Sequence, residues 1–235
     1  MISAQIKSMS MDKDREKQDV ARAALKFVQS GQVVGLGSGS TSAFFIQFLG
    51  ERVRAGLRIQ GVPTSIRAQQ LAGKCGIPLV SLDEVESIDV DVDGADEFDS
   101  QLQLIKGGGG ALLREKIVAS VSKKFVVLAD SSKQVAFLGK FPLPVEVIPF
   151  AEAVLTRRIS ALGATVTLRK SPDGSIYKTD EAHHILDCHF GKIPDPTALA
   201  HTLSGMPGVV EHGLFINMAN VVLLAKENQV IELHR

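Results

Sequence analysis

VVGLGSGSTSAFFIQFLGERV, residues 33–53, begins as one kind of structure and continues as another, and that change decides the fold class. VVGLG at 33–37 reads as a short strand running straight into a glycine-rich turn. STSAFFIQFLGERV reads as a helix, with Ser40 or Thr41 supplying the capping hydroxyl. Working outward, the same unit recurs. Upstream, Met11 to Gln29 has a helical pattern with Val20, Ala24, Leu25, Phe27 and Val28 on its apolar side, and the first ten residues are expected to fray. Downstream, RIQGVP is a strand, SIRAQQLAGKC a helix ending at Gly76, and PLVSL and IDVDVDG are strands. A helix from about Ala111 to Ser122 and the strand KFVVLAD follow. Strands alternating with helices of this length predict an α/β domain with a largely parallel sheet.

After Gly139 the rhythm changes at the proline-rich FPLPVEVIPF. VEVIPF, AEAVLTRRISALG, ATVTLRK, HHILDCHF, DPTALAHTLSGM and VVEHGLFI read in order as β-α-β-β-α-β, the split-βαβ arrangement, with SPDG as a turn. The final pair, VVLLAK and QVIEL, is expected to return to the first sheet. The fold class is therefore α/β, a Rossmann-like, mostly parallel sheet domain with a smaller split-βαβ (ferredoxin-like) α+β domain. Its expected boundaries are 1–139 plus 211–235 for the catalytic domain and 140–210 for the small domain, which is expected to take part in oligomerisation.

Composition narrows the function. The 235 residues carry 26 basic and 26 acidic side chains, so no bulk field draws the chain to nucleic acid or an anionic membrane. The hydrophobic content of 45% supports a substantial core, and no apolar run approaches the length that spans a bilayer. Cys75 and Cys188 lie far apart and outside any CxxC pattern, as expected of buried thiols in a reducing, cytoplasmic setting. The N-terminal segment lacks the apolar stretch of a signal peptide.

Four segments carry the chemistry. GLGSGST (35–41) sits at a strand-to-helix turn, where open α/β sheets bind ligands. It lacks the third glycine of the dinucleotide fingerprint and the lysine of a P-loop. What remains is a cradle for a single phosphate, built from backbone N–H groups and the hydroxyls of Ser38, Ser40 and Thr41, with Gly39 between them. DVDVDGADEFD (89–99) opens like a calcium loop, but Ser100 stands where the bidentate glutamate is required, and Ile88, Val90 and Val92 alternate as on a strand. Its carboxylates Asp93 and Asp96 flank the strand's C-terminal end and suit gripping hydroxyls or passing protons. KGGGGALLREK (106–116) combines the charge of Lys106, bare amides at Gly107, Gly108 and Gly109, and Glu115 about one turn into a helix as a candidate base. ADSSKQ (129–134) places Lys133 after a strand, on the same predicted edge. The six histidines are scattered and have no partners at zinc-ligand spacing.

VDGADE, KGGGGALLREKI, ADSSKQV and LGKFPLPVEVIP together resemble the A-type ribose-5-phosphate isomerases, and the similarity runs from the first helix to the last strand. The resemblance implies an aldose–ketose isomerase in which Glu115 shuttles a proton between C2 and C1 through an enediolate. It implies substrate contacts from Ser38, Gly39, Ser40 and Thr41, from Asp93, Gly94, Ala95 and Asp96, from Lys106, Gly107, Gly108 and Gly109, and from Lys133. It aligns Lys17 with a lysine near the phosphate end. It further implies a homodimer or homotetramer that needs no metal or organic cofactor. Two departures stand out, TDEAHH at 179–184 and Asn220 where aspartate is frequent, and they bear on surface and assembly rather than chemistry.

The residue types suit that reaction. Removing a weakly acidic C–H proton beside a carbonyl requires a base, here Glu115, and a cation where the oxyanion develops, here Lys106. Ring opening falls to Asp93, with Asp96 holding hydroxyls. Rival readings are a sugar-phosphate deaminase-isomerase, a lactonase, a CoA transferase with a nucleophilic glutamate, or a non-enzymatic sugar-phosphate sensor. A nicotinamide oxidoreductase is disfavoured by the failed fingerprint.

Overall fold

The computed structural model describes the backbone of residues 2–235 and the side chains from residue 13 onward. In chain order its elements are α1 (Ile2–Ala24), β1 (Val33–Leu36), α2 (Ser40–Arg54), β2 (Gln60–Pro63), α3 (Ile66–Lys74), β3 (Val90–Gly94), β4 (Glu97–Phe98), β5 (Leu104–Ile105) and α4 (Leu112–Ser120). There follow β6 (Phe125–Ala129), β7 (Leu143–Val147), α5 (Glu152–Ser160), β8 (Thr165–Leu168), β9 (His184–His189), α6 (Pro196–Ser204), β10 (Val209–His212), β11 (Leu214–Phe215), β12 (Val221–Lys226) and β13 (Gln229–His234). They form two compact units. The first comprises residues 1–94, 118–134 and 219–235, and the second 95–117 and 135–218. The sequence punctuation at 139/140 and 210/211 thus falls inside the second unit.

The first unit is a six-stranded sheet in the order β13-β12-β6-β3-β1-β2. Its strands run parallel except for β13, which closes an antiparallel hairpin on β12. As the sequence predicts, β12 and β13 return to this sheet. One face of the inner strands is uniformly apolar, while β3 sets the buried carboxylates of Asp91 and Asp93 on the other. Val34 and Leu36 of β1, Val90 and Val92 of β3, and Val126 and Leu128 of β6 are all buried. Phe45, Ile46 and Leu49 of α2 and Val20, Ala21 and Ala24 of α1 join the same core. Each large side chain so buried contributes roughly 2–3 kcal/mol.

The second unit contains an antiparallel sheet in the order β10-β7-β9-β8. Numbered within its own β-α-β-β-α-β run, that order is 4-1-3-2, with β9 inserted between β7 and β8, and it matches the split-βαβ expectation. Leu143, Val145 and Val147 of β7 and Leu186 and Cys188 of β9 bury one face with Leu155 and Ile159 of α5 and Leu203 of α6.

Three readings need correction. PLVSL is not a full strand; it makes a single parallel bridge, Gly61 to Leu79, and then a 3-10 turn at Leu82–Glu84. VVEHGLFI is two strands, because β10 pairs with β7 whereas β11 pairs with β5 in a separate three-stranded sheet, β11-β5-β4. The break is Gly213, where an added Cβ would stand 2.3 Å from the Lys106 carbonyl oxygen, so only glycine lets the chain switch sheets there. Finally, the first helix starts at Ile2 rather than near Met11, and after Ala24 it tightens into a 3-10 turn over Leu25–Phe27. The ten residues expected to fray therefore run, from Ile2, as its opening turns; their side chains lie outside the described residues.

Candidate active site

In the first unit the sheet order itself selects an edge. The chain leaves β1 toward β2 on one side, then passes to β3, β6 and β12 on the other, so β1 and β3 form the switch point where loops diverge beyond the strand ends. Three of the four predicted segments emerge there: 37–41 after β1, Asp93 and Gly94 at the end of β3, and 130–133 after β6.

Asp93 binds two of them together. Its Oδ1 accepts hydrogen bonds from the Ser38 amide at 2.9 Å, the Ser42 hydroxyl at 2.9 Å and the Gly94 amide at 2.7 Å. The contact is so close that a Cβ at Gly37 would lie 2.2 Å from Asp93 Oδ1 and 2.5 Å from its Cα. Glycine at 37 is therefore a steric requirement. The Ser38 hydroxyl pairs with Thr64 Oγ1 at 2.8 Å and donates to Ser65 Oγ at 2.7 Å, both at the end of β2. Gly39 and Ser40 are exposed, and no side chain caps the α2 N-terminus, which leaves its first amides directed outward as anion donors.

The third loop is folded by Asp130, which accepts from the Ser132 amide at 3.0 Å and from the Ser132 hydroxyl; the Lys133 amide returns to the Asp130 carbonyl at 3.1 Å. Ser131 donates its amide and hydroxyl to Glu16 of α1 at 3.0 and 2.9 Å, which brings the first helix to this loop. Lys17, one residue on, stands 3.5 Å from Asp14. Asp89, by contrast, is spent on structure. It accepts from the Val33 amide and pairs with Lys123, each at 2.8 Å, and those bonds hold its carboxyl below the usual range.

The second unit holds the remaining segments. Ala95 opens it, and Asp96 Oδ2 accepts the Gly108 amide at 2.7 Å, so the acidic turn grips the glycine run. Lys106 follows β5, and its amide donates to the Gly213 carbonyl at 2.8 Å. Glu115 lies in the first turn of α4, near the positive end of the helix dipole. The two side chains meet, with Lys106 Nζ 3.5 Å from Glu115 Oε2. Both are deeply buried, Lys106 at 2% exposure and Glu115 at 5%, so an acid and a base are held together out of bulk water.

The floor beneath them is also ionic. Lys106 and Lys116 approach the Phe215 ring, with Nζ 5.4 and 4.9 Å from its centre. Lys116 donates to Glu211 at 2.7 Å and to the His212 carbonyl at 2.6 Å, and burial lowers its pKa against the opposing pull of Glu211. Burial, aided by the Lys116 charge, pushes His212 down to about 4. Glu97, in the same motif as Asp93 and Asp96, proves structural. It accepts the Gly139 and Phe141 amides at 2.8 and 2.6 Å and so fixes the LGKF turn.

Sequence reading missed Ser42, Thr64, Ser65, Glu16 and Phe215. For Thr64 and Ser65 a signal existed, since they follow a strand that ends on the switch-point edge. Within the 179–184 departure Asp180, Glu181 and Ala182 are exposed, while Thr179 is buried and bonds Glu146 at 2.9 Å, with His183 3.0 Å from the same carboxylate. Asn220 binds the Phe125 amide through its side chain at 2.6 Å, a purely local role. Cys75 and Cys188 are both free, and burial pushes the Cys188 thiol up to about 12. Among the described residues no helix is long and apolar enough to cross a membrane.

Comparison with known proteins identifies the family. Residues 60–229 match the family model for ribose 5-phosphate isomerase A (phosphoriboisomerase A). The chain is 52% identical over 221 residues to ribose-5-phosphate isomerase A of Nitrobacter hamburgensis, covering 92% of this chain and 95% of that protein. It is 51% identical over 231 residues to that of Rhodopseudomonas palustris strain TIE-1, covering 96% and 100%. Among solved structures, ribose 5-phosphate isomerase A of Methanocaldococcus jannaschii superposes with a TM-score of 0.91 at 43% identity, covering 95% of this chain and 100% of that one. A D-ribose-5-phosphate isomerase in complex with phospho-erythronic acid gives 0.92 at 42%, covering 94% and 98%. The α/β chain with its mostly parallel sheet, its separate antiparallel sheet and its buried Lys106–Glu115 pair belongs to the ribose 5-phosphate isomerase A family.

Proposed function

We propose that this chain is an isomerase that interconverts D-ribose 5-phosphate and D-ribulose 5-phosphate through an enediolate, in the non-oxidative branch of the pentose phosphate pathway. The observation that carries the reading is the buried Lys106–Glu115 pair at 3.5 Å. In the open-chain aldose, Glu115 takes the proton from C2, the C–H electron pair forms the C1=C2 bond, and the carbonyl electrons move onto O1. The Lys106 ammonium and the amides of Gly107 and Gly109 stabilise that oxyanion, while the Gly108 amide is held by Asp96. The proton of the O2 hydroxyl passes to O1, the electrons left on O2 form the ketone, and Glu115 returns its proton to C1, so the reaction is redox-neutral for the molecule as a whole. Phospho-erythronic acid, found with a 42% identical relative, has a carboxylate that spreads negative charge over two oxygens as an enediolate does.

The phosphate is assigned to Ser38, Gly39, Ser40 and Thr41 at the uncapped α2 N-terminus, with Lys133 and, from α1, Lys17 contributing charge. Asp93 assists ring opening, and Asp96 with Gly94 and Ala95 contacts the sugar hydroxyls. Because Asp93 also builds the 37–42 turn, its replacement tests both tasks at once. The catalytic role belongs to residues 1–139 with 211–235 and the assembly role to 140–210. Phe150 in that portion is 96% exposed, which supports a homodimer or homotetramer formed through it, and two free thiols support a cytoplasmic setting.

The test is a proton NMR time course with ribose 5-phosphate in D2O containing EDTA. Formation of ribulose 5-phosphate with solvent deuterium entering the sugars is expected. Binding without turnover or exchange would replace the isomerase reading with that of a sugar-phosphate sensor.

A further inference from the structure

The glycine run has no side chains with which to hold itself, yet the carbonyls of Gly107, Gly108 and Gly109 are engaged. Arg169, just after β8, donates through Nη1 to the Gly107 oxygen at 3.0 Å and to the Gly108 oxygen at 3.2 Å. Tyr177 donates its hydroxyl to the Gly109 oxygen at 3.2 Å. The guanidinium is itself fixed, since Nε and Nη2 make a two-point pair with Asp187 of β9 at 2.9 and 2.5 Å. Its carbon also lies 5.8 Å from the Tyr177 ring centre.

These bonds have a directional consequence. In a trans peptide the C=O of one residue and the N–H of the next point to opposite sides of the peptide plane. Holding the Gly108 carbonyl against Arg169 therefore turns the Gly109 amide away from the clamp. The Gly107 carbonyl does the same for the Gly108 amide, which meets Asp96 at 2.7 Å.

We propose that Arg169 is a positioning residue for the isomerase reaction, holding the carbonyls of Gly107 and Gly108, with Tyr177 on Gly109, so that the Gly109 amide stays aimed at the developing oxyanion. This rests on the functional reading above. The residue acts through the backbone and touches no substrate atom. Oxyanion donors work because they need no reorganisation at the moment of reaction, and a glycine run released from its clamp loses that preorganisation.

The chain provides its own probe, because Tyr177 is its single tyrosine and it has no tryptophan, so intrinsic emission reports on this clamp alone. Ribose 5-phosphate kinetics, phospho-erythronate affinity and tyrosine emission would be compared for wild type, Arg169→Ala, Arg169→Lys and Tyr177→Phe, the last without the emission channel's hydroxyl-bearing ring. Arg169→Ala is expected to lose about 10- to 100-fold in kcat with KM within about 3-fold. It is also expected to weaken phospho-erythronate while leaving inorganic phosphate binding unchanged. Arg169→Lys should recover most of the loss, and Tyr177→Phe should lose about 3-fold in kcat. Phospho-erythronate should perturb wild-type tyrosine emission more than Arg169→Ala emission. If Arg169→Ala does not fold, the lysine variant decides by the same readouts and the phenylalanine variant by kinetics and analogue affinity. Folded variants with lowered Tm but wild-type kcat and analogue affinity overturn the inference and leave a structural clamp only. Wild-type protein that does not isomerise ribose 5-phosphate overturns the functional reading, and this inference with it.

Discussion

The two glycine-rich segments of the molecule are built by different means. The 37–41 turn is held by its own neighbourhood: Asp93 from the adjacent strand and Ser42 from the helix it opens, with Thr64 and Ser65 beyond β2. The 107–110 run is held on its amide side by Asp96 and on its carbonyl side by two residues about sixty to seventy positions further along the chain, Arg169 and Tyr177. In the proposed reading, a cradle for a phosphate that stays a phosphate tolerates self-contained hydroxyls. A surface facing a charge that exists only in the transition state requires bare amides, and bare amides need an external frame.

The strongest way to break the comparison is at its chemical end. Glu115→Gln is expected to lose about 10²- to 10⁴-fold in kcat, with substrate binding nearly unchanged, as steady-state kinetics with ribose 5-phosphate would measure. Near-normal turnover would remove Glu115 as the base and end the distinction between a binding segment and a reacting one.

Next comes the self-contained turn. Gly37→Ala forces a methyl into Asp93, so it should cost about 2–3 kcal/mol in urea unfolding and raise KM well before it affects kcat. A stable variant with normal KM would show that the turn can shift without loss.

The second region rests on an ionisable floor, and pH exposes it. His212 is neutral in the fold down to about pH 4, whereas an unfolded histidine takes a proton near 6.5. Between those values the unfolded chain binds more protons, so stability falls as pH drops from 6.5 toward 4, by about 2 kcal/mol between pH 7 and 4.5. Glu146, whose carboxyl burial pushes upward, bends the curve the other way. The quantity to read is therefore the difference between wild type and His212→Asn, which should remove the His212 slope. Parallel pH curves would mean that His212 titrates alike in both states.

The smallest effect is the sharpest contrast. A Cβ at Gly109 meets no heavy atom within 4 Å, unlike one at Gly37. Gly109→Ala should leave stability within about 0.5–1 kcal/mol yet lower kcat by about 10-fold, if the open space belongs to the reacting sugar. Unchanged turnover would place the sugar elsewhere.

This contrast also explains what was legible in the sequence. GLGSGST, DVDGADE and KGGGGALLREK each carry chemistry over a few consecutive residues, and the period change around Ser40 gives strand and helix their order. Asp93 and Asp96 were readable as candidates because they flank a strand end. Their division of labour was not, because hydrogen-bond partners such as Ser42 and Gly108 are fixed only by the pairing of strands. Arg169 and Tyr177 carry no local signal at all; their meaning comes from the register of β8 on β9, which sets Asp187 beside Arg169. VVEHGLFI misled because one glycine, Gly213, divides an apolar run between two sheets.

Strand β6, all five of whose residues are buried, finds its partner on one side only in β12. On a ribosome extending the chain at 5–20 residues per second, the roughly ninety residues between Ala129 and Val221 take about 5 to 20 s to make. For that interval FVVLA is a fully apolar strand with one open hydrogen-bonding edge, the type of segment that nascent-chain chaperones cover. The order of strands in the finished sheet therefore sets a waiting time in synthesis, during which the hydrophobic centre of the molecule is its most vulnerable part.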